Sequence, residues 1–242
     1  MKPHRRTEPP GSSIFLCAPV NALVEGIYEE NIHLGEILKH GDFGLGTFDD
    51  LDGEMLILDG HCYQINSDGR VIEVDEKVLT PFAAVTFFTP ENHYEIVEET
   101  PYVKFLQWLN GLLPSPNLFY AIRIEGEFAH IKVRSVPKQA NYRPLSDIAH
   151  EQVVFGFDTI KGTLAGFFTP DFLSSLSVPG MHLHFLSEDH QHGGHLLECV
   201  PQKVSVGIQL IHKMELSLPM TRDYMKWDFH RDTRQDLDKV EK

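Results

Sequence analysis

The chain has 242 residues, 42% of them hydrophobic and 23% charged, with a formal net charge of −14. That is enough apolar material for a packed core and excludes an intrinsically disordered chain. A surface this acidic repels phosphate backbones and anionic headgroups, so neither nucleic acid nor membrane is expected as the main partner.

Residues 1–13 are polar, basic and proline-bearing and read as a mobile arm. The apolar run after them is short and holds Pro19, so neither a signal peptide nor a membrane span is expected, and a cytoplasmic location follows. From Asn21 to His40 the apolar residues fall at helical spacings in two short pieces, broken near Asn31. Gly41 to Phe48 has a glycine at every second or third place and is expected to be a turn or an irregular strand edge. Glu54–Leu58 and His61–Ile65 read as a hairpin turning at Asp59-Gly60. Another turn at Ser67-Asp68-Gly69 precedes a strand from Val71 to Val74, and Ala83–Phe88 reads as a buried strand. Val103–Leu113 has helical periodicity and stops at Pro114. Tyr120–Ile124 and Phe128–Val133 read as a second hairpin turning at Glu125-Gly126.

The second half is expected to be mainly β, with strands at Gln152–Phe157, Gly162–Phe168, Gly180–Phe185, His195–Val200 and Lys203–Met214. Five strands with short turns suggest a small barrel or sandwich. Thr221–Lys242 is a polar, charged tail. Cys17, Cys62 and Cys199 are odd in number and widely spaced, which suits reduced, buried thiols rather than a disulfide framework.

Five of the fourteen histidines lie between Gly180 and Glu198. On a strand, His182 and His184 project from one face and Leu183 and Phe185 from the other. Ser187–Gly194 reads as a turn, after which His195 opens a strand that can run back beside the first. Three neutral imidazoles leave a divalent ion its full charge and open coordination positions, the pattern of a catalytic rather than a structural zinc site. His190 and His192 fall on the turn and are excluded as ligands. A plain solvated strand face remains the alternative for any His-x-His pair.

The segments GDFGLGTFDDLDGEMLILDG, TPFAAVTFFTP, NLFYAIRIEG, RSVPKQ, GTLAGFFTPDF and GMHLHFLSEDHQHGGH, in this order, resemble the α-acetolactate decarboxylase family. The resemblance runs from about Asn21 to the end of the chain. It implies an α/β, two-domain fold: a mixed β-sheet with flanking helices over residues 14–150, a small β-barrel carrying the metal over 151–220, and a tail, 221–242, folding back toward the site. It also implies a homodimer, with the first-domain sheet extending across the contact. The metal ligands it implies are His182, His184 and His195 around Zn2+. Thr47 would line the pocket, Glu54 would supply the proton and Arg134 would hold the substrate's carboxylate. Glu241 would reach the metal site from the tail. The chain departs from the usual family pattern at His61-Cys62, His190 and His192.

The implied reaction is decarboxylation of the small molecule 2-acetolactate to acetoin and CO2, with the metal as electron sink and no organic cofactor. Without the resemblance, Glu54 would read as a strand-edge carboxylate, Arg134 as a surface ion-pair partner, Thr47 as a cap on turn backbone and Glu241 as a frayed-tail residue. The rivals are a hydrolase using metal-bound water on the same histidines and a non-enzymatic barrel that stores or senses metal.

Overall fold

A computed structural model describes residues 13–29 and 32–241. The expected arm, apart from Ser13, lies outside the described residues. The chain is mostly β, with some short helices. The strands are β1 Ser13–Leu16, β2 Ile32–His33, β3 Phe43–Thr47, β4 Glu54–Leu58, β5 His61–Ile65, β6 Val71–Glu73, β7 Leu79–Thr80, β8 Ala83–Thr86 and β9 Asn92–Ile96. They continue with β10 Phe119–Ser135, β11 Val153–Thr169, β12 Gly180–Ser187, β13 Gly193–Ile211 and β14 Lys213–Leu216. The helices are α1 Val20–Val24, α2 Leu34–Ile37, α3 Tyr102–Gly111, α4 Leu145–Ile148, α5 Arg222–Lys226 and α6 Arg234–Glu241. No described helix is long and apolar enough to cross a membrane.

Seven strands form one sheet in the order β14-β1-β8-β3-β4-β5-β6. The glycine-rich segment expected as a turn or edge is β3, the central strand of this sheet. Its larger residues alternate with glycines: Phe43 and Leu45 enter the core between the two large sheets, while Gly44 and Gly46 leave the other face bare. A Cβ at Gly46 would stand 2.3 Å from the Phe82 carbonyl, so the glycines admit β8 at close range. The hairpin β4–β5 forms as expected, with Asp59 and Gly60 both at positive φ.

The second sheet runs β10-β11-β12-β13, with β13 pairing back onto β10 to close a ring of four strands and β9 flanking β13. The hairpin expected at Glu125-Gly126 is absent. Residues 119–135 are one strand that pairs with β11 on one side and β13 on the other. Gly126 sits at φ 144°, opposite Gly162 and Val204, where a Cβ would lie 2.1 Å from the Lys203 carbonyl. The glycine bends the strand around the ring instead of reversing it. The expected break at residues 158–161 likewise falls inside β11, and that at Pro201-Gln202 inside β13. Sheet membership crosses residue 150 in both directions, because β9 and β10 join the second sheet and β14 returns to pair in parallel with β1.

Ring-interior residues such as Ile122, Phe128, Leu183 and Phe185 pack with Phe105 and Leu109 of α3. Each such buried side chain contributes roughly 1.5–3 kcal/mol. A second core, containing Leu45, Leu56, Ala165 and Phe167, fills the space between the two sheets. A third gathers α1, α4 and α6 through Val20, Leu145 and Leu237.

Candidate metal centre and its pocket

Strand alternation places the histidines. Leu183 and Phe185 of β12 go into the ring core, so His182 and His184 face outward toward the first sheet. In register, His184 stands opposite His195 of β13, and His195 stands opposite Arg134 of β10. Three neighbouring strands thus present Arg134, His195 and His184 as one row; directly opposed residues share a face with Cβ atoms about 5 Å apart. Gly194 makes that row possible. It has φ 142°, and a Cβ there would sit 2.6 Å from the Arg134 carbonyl.

All three imidazoles are buried. Their ring centroids are 5.0–5.4 Å apart, and one ligand nitrogen from each lies within 4.8 Å of the others. Burial, reinforced by the Arg134 charge, lowers the pKa of His182 to about 3. Burial and then His182 hold that of His184 well below its usual value. Both rings are therefore neutral at physiological pH, as a metal ligand must be. His184 Nδ1 lies 2.8 Å from the Met55 carbonyl; a carbonyl only accepts, so Nδ1 carries the proton. The lone pair is left on Nε2, which is buried and makes no hydrogen bond. A bare, oriented lone pair beside two further imidazoles suits a borderline divalent metal ion.

The first sheet supplies the facing groups. Glu54 opens β4 directly before Met55, so the strand that fixes His184 also brings in the carboxylate. Arg134 Nη1 donates to Glu54 Oε1 at 2.5 Å, with both side chains buried, and Glu54 Oε2 lies 3.5 Å from His184 Nε2. Thr47 pairs with Glu54 across β3–β4 and donates its hydroxyl to the Gly53 carbonyl at 2.8 Å.

Thr47, Glu54, Arg134, His182 and His184 line a cavity together with an apolar wall of Val20, Leu23, Leu51, Phe82, Val136, Leu145 and Val178. Among the described residues Glu54 is the one carboxylate lining it. Six of the seven expected site residues thus converge, while the side chain of Glu241 lies outside the described residues. His190 is exposed on the turn against Tyr63, and His192 lies tilted against Phe157; neither belongs to the three-histidine group. Sequence reasoning missed the Met55 carbonyl, for which no side-chain signal exists, and the apolar wall. Of that wall, the helical spacing read from Asn21 onward took in Leu23 and left out Val20.

The sequence profile of the alpha-acetolactate decarboxylase family matches residues 14–231. An alpha-acetolactate decarboxylase of Methanosarcina mazei is 38% identical over 230 residues, 95% of this chain and 80% of that protein. Another from Bacillus subtilis strain 168 is 39% identical over 216 residues, 89% of this chain and 85% of that protein. The crystal structure of alpha-acetolactate decarboxylase from that strain superposes with a TM-score of 0.92 at 37% identity, covering 95% of this chain and 99% of that one. A Staphylococcus aureus protein of unknown function, described as similar to that enzyme, superposes with a TM-score of 0.88 at 27% identity over 94% of this chain and 98% of its own. On the profile, the relatives and the fold together, the chain belongs to the alpha-acetolactate decarboxylase family of carboxy-lyases.

Proposed function

We propose that this chain converts 2-acetolactate to acetoin and CO2 with a zinc ion held by His182, His184 and His195. The observation that carries the reading is a group of three buried imidazoles, two of which share one cavity with a buried Arg134–Glu54 pair and an apolar wall. The ion's contribution is Lewis acidity, which turns the substrate ketone, β to the carboxylate, into an electron sink.

The protein's own groups do the remainder. Arg134 is permanently charged and planar, and it supplies a local positive field inside a chain of net charge −14. Its Nη1 is engaged by Glu54, and its planar fork is matched to the two oxygens of the substrate carboxylate. When the C–CO2 bond breaks, the electron pair stays on the substrate, delocalised onto the ketone oxygen. One proton must then reach carbon; Glu54, which faces Arg134 as a carboxylate, would first take that proton from solvent and then pass it on. Turnover therefore consumes one proton per CO2 released. Thr47, whose hydroxyl proton is committed to Gly53, keeps the cavity floor in place. The apolar wall suits the substrate's methyl groups and keeps water from competing as a proton source.

A homodimer belongs to this reading. β14 is an edge strand, and exposed Leu218, Met220, Met225 and Trp227 follow it. Light scattering that gave 27.6 kDa rather than twice that mass would remove the dimer.

The deciding experiment supplies racemic 2-acetolactate to zinc-replete protein and measures acetoin and CO2. Stoichiometric formation of both is expected. Arg134→Ala should cut the rate by about 10²-fold or more while leaving metal content unchanged. A zinc-replete wild type that forms no acetoin would end the proposal.

A further inference from the structure

The apolar wall of the cavity is built from pieces too short to hold themselves in place. α1 has five residues and α4 has four, and neither has a side-chain cap at its N-terminus. Isolated helices of this length are not stable, so tertiary contacts must fix them. α1 carries Val20 and Leu23 into the cavity, and α4 carries Leu145. Behind them lies the C-terminal segment. Leu237 of α6 is 1% exposed and packs in the same apolar cluster as Val20, Leu145, Val136 and Val178.

One charged group ties these pieces together. Arg231 Nε donates to Oε1 of Glu25, the residue that ends α1, at 2.8 Å. Its Nη1 pairs with Asp236 of α6. The two carboxylates are largely buried, with side-chain exposures of 9% and 14%, whereas Arg231 is half exposed. Exposed ion pairs stabilise little, but here the guanidinium bridges two largely buried carboxylates, one at the end of α1 and one on α6. Lysine carries its three donors on one nitrogen rather than on a planar fork, so it reproduces a two-sided bridge of this kind only in part.

We infer that Arg231 is a positioning residue for the cavity: by bridging Glu25 and Asp236 it clamps α6 onto α1 and α4 and so sets the apolar wall. Among the described residues its hydrogen bonds go to Glu25 and Asp236, not to the three histidines or Arg134. It acts on how well the wall meets the non-reacting part of a ligand. Such contacts are equal in ground and transition states, so their loss raises KM more than it lowers kcat.

The test compares wild type, Arg231→Lys and Arg231→Ala in two arms. The first arm is amide hydrogen exchange on the full, metal-loaded chain without substrate. Arg231→Ala should accelerate exchange about tenfold or more in α1, α4 and α6 together, with α3 unchanged. Acceleration confined to residues 222–241, or none, overturns the clamp. The second arm is steady-state decarboxylation of 2-acetolactate, which rests on the proposed function. Arg231→Ala should raise KM about tenfold with kcat changed less than about twofold, and Arg231→Lys should fall between it and wild type. An unchanged KM in Arg231→Ala overturns the positioning role. A wild type that makes no acetoin removes the proposed reaction, and the exchange arm still decides whether Arg231 couples the helices.

Discussion

A single backbone oxygen decides what His184 can do. Because the Met55 carbonyl takes the Nδ1 proton, Nε2 is the nitrogen left to bind a metal, and the tautomer is set before any ion arrives. His184→Ala should therefore abolish stoichiometric metal binding by elemental analysis, while His190→Ala and His192→Ala leave it intact. Metal retained by His184→Ala would displace the ligand assignment. The Arg134–Glu54 pair makes a separate prediction about stability. Glu54→Gln keeps the shape but removes the carboxylate paired with the buried Arg134, at a cost of about 3–5 kcal/mol. For a chain of this size that is a fall in Tm on the order of 10 °C. Glu54→Gln/Arg134→Met removes both charges and should recover most of the loss in a thermal melt, yet remain inactive. A double variant no more stable than Glu54→Gln would mean that the buried charge is not what destabilises the single one.

Elements with clean alternation were legible in the sequence, and elements bent by glycine were not. Glu54–Leu58 and His61–Ile65 read directly, because Asp59-Gly60 can adopt the paired positive φ angles of a tight hairpin. The His182/His184 face read directly as well, since Leu183 and Phe185 announce the core side. Glycine has two meanings that local sequence does not separate. In β3 it removes side chains so that β8 can approach, and in β10 Gly126 bends a strand that looked like two. Partners distant in sequence were invisible to spacing. Arg134 and Glu54 are 80 residues apart, and only the family resemblance joined them. The apolar wall was hidden for the opposite reason, since α1 and α4 are shorter than the window over which helical periodicity builds up. The two glycine roles can be told apart by substitution. Gly60→Ala meets nothing within 4 Å and should cost only the left-handed backbone penalty, about 1–2 kcal/mol. Gly126→Ala must also displace the Lys203 carbonyl and should cost clearly more in urea unfolding. Equal costs would mean that the bend in β10 relaxes freely.

At the scale of the molecule, a chain of net charge −14 buries three imidazoles and holds His182 and His184 neutral, and this opposition makes its acid behaviour predictable. The folded state holds His182 unprotonated down to about pH 3, whereas the unfolded chain protonates it near 6.5. Between those values the unfolded state binds more protons, so the metal-free protein loses stability as pH falls through that window. The slope is about 1.4 kcal/mol per pH unit for His182, and His184 adds to it with the same sign. The acidic surface acts oppositely, because protonating carboxylates relieves self-repulsion as the pH nears the isoelectric point of about 5.4. Salt at about 0.5 M screens that surface contribution far more than the buried one. Urea unfolding of chelator-treated protein at pH 7, 6 and 5 in such salt should therefore give a steadily falling stability, flattened in His182→Ala. A bound ion must be displaced before either ring can take a proton, so restoring zinc should move the acid transition to lower pH. Stability that is flat from pH 7 to 5 in the metal-free wild type would mean that these histidines admit protons without unfolding. The centre would then be a solvated cluster rather than a dry ligand set.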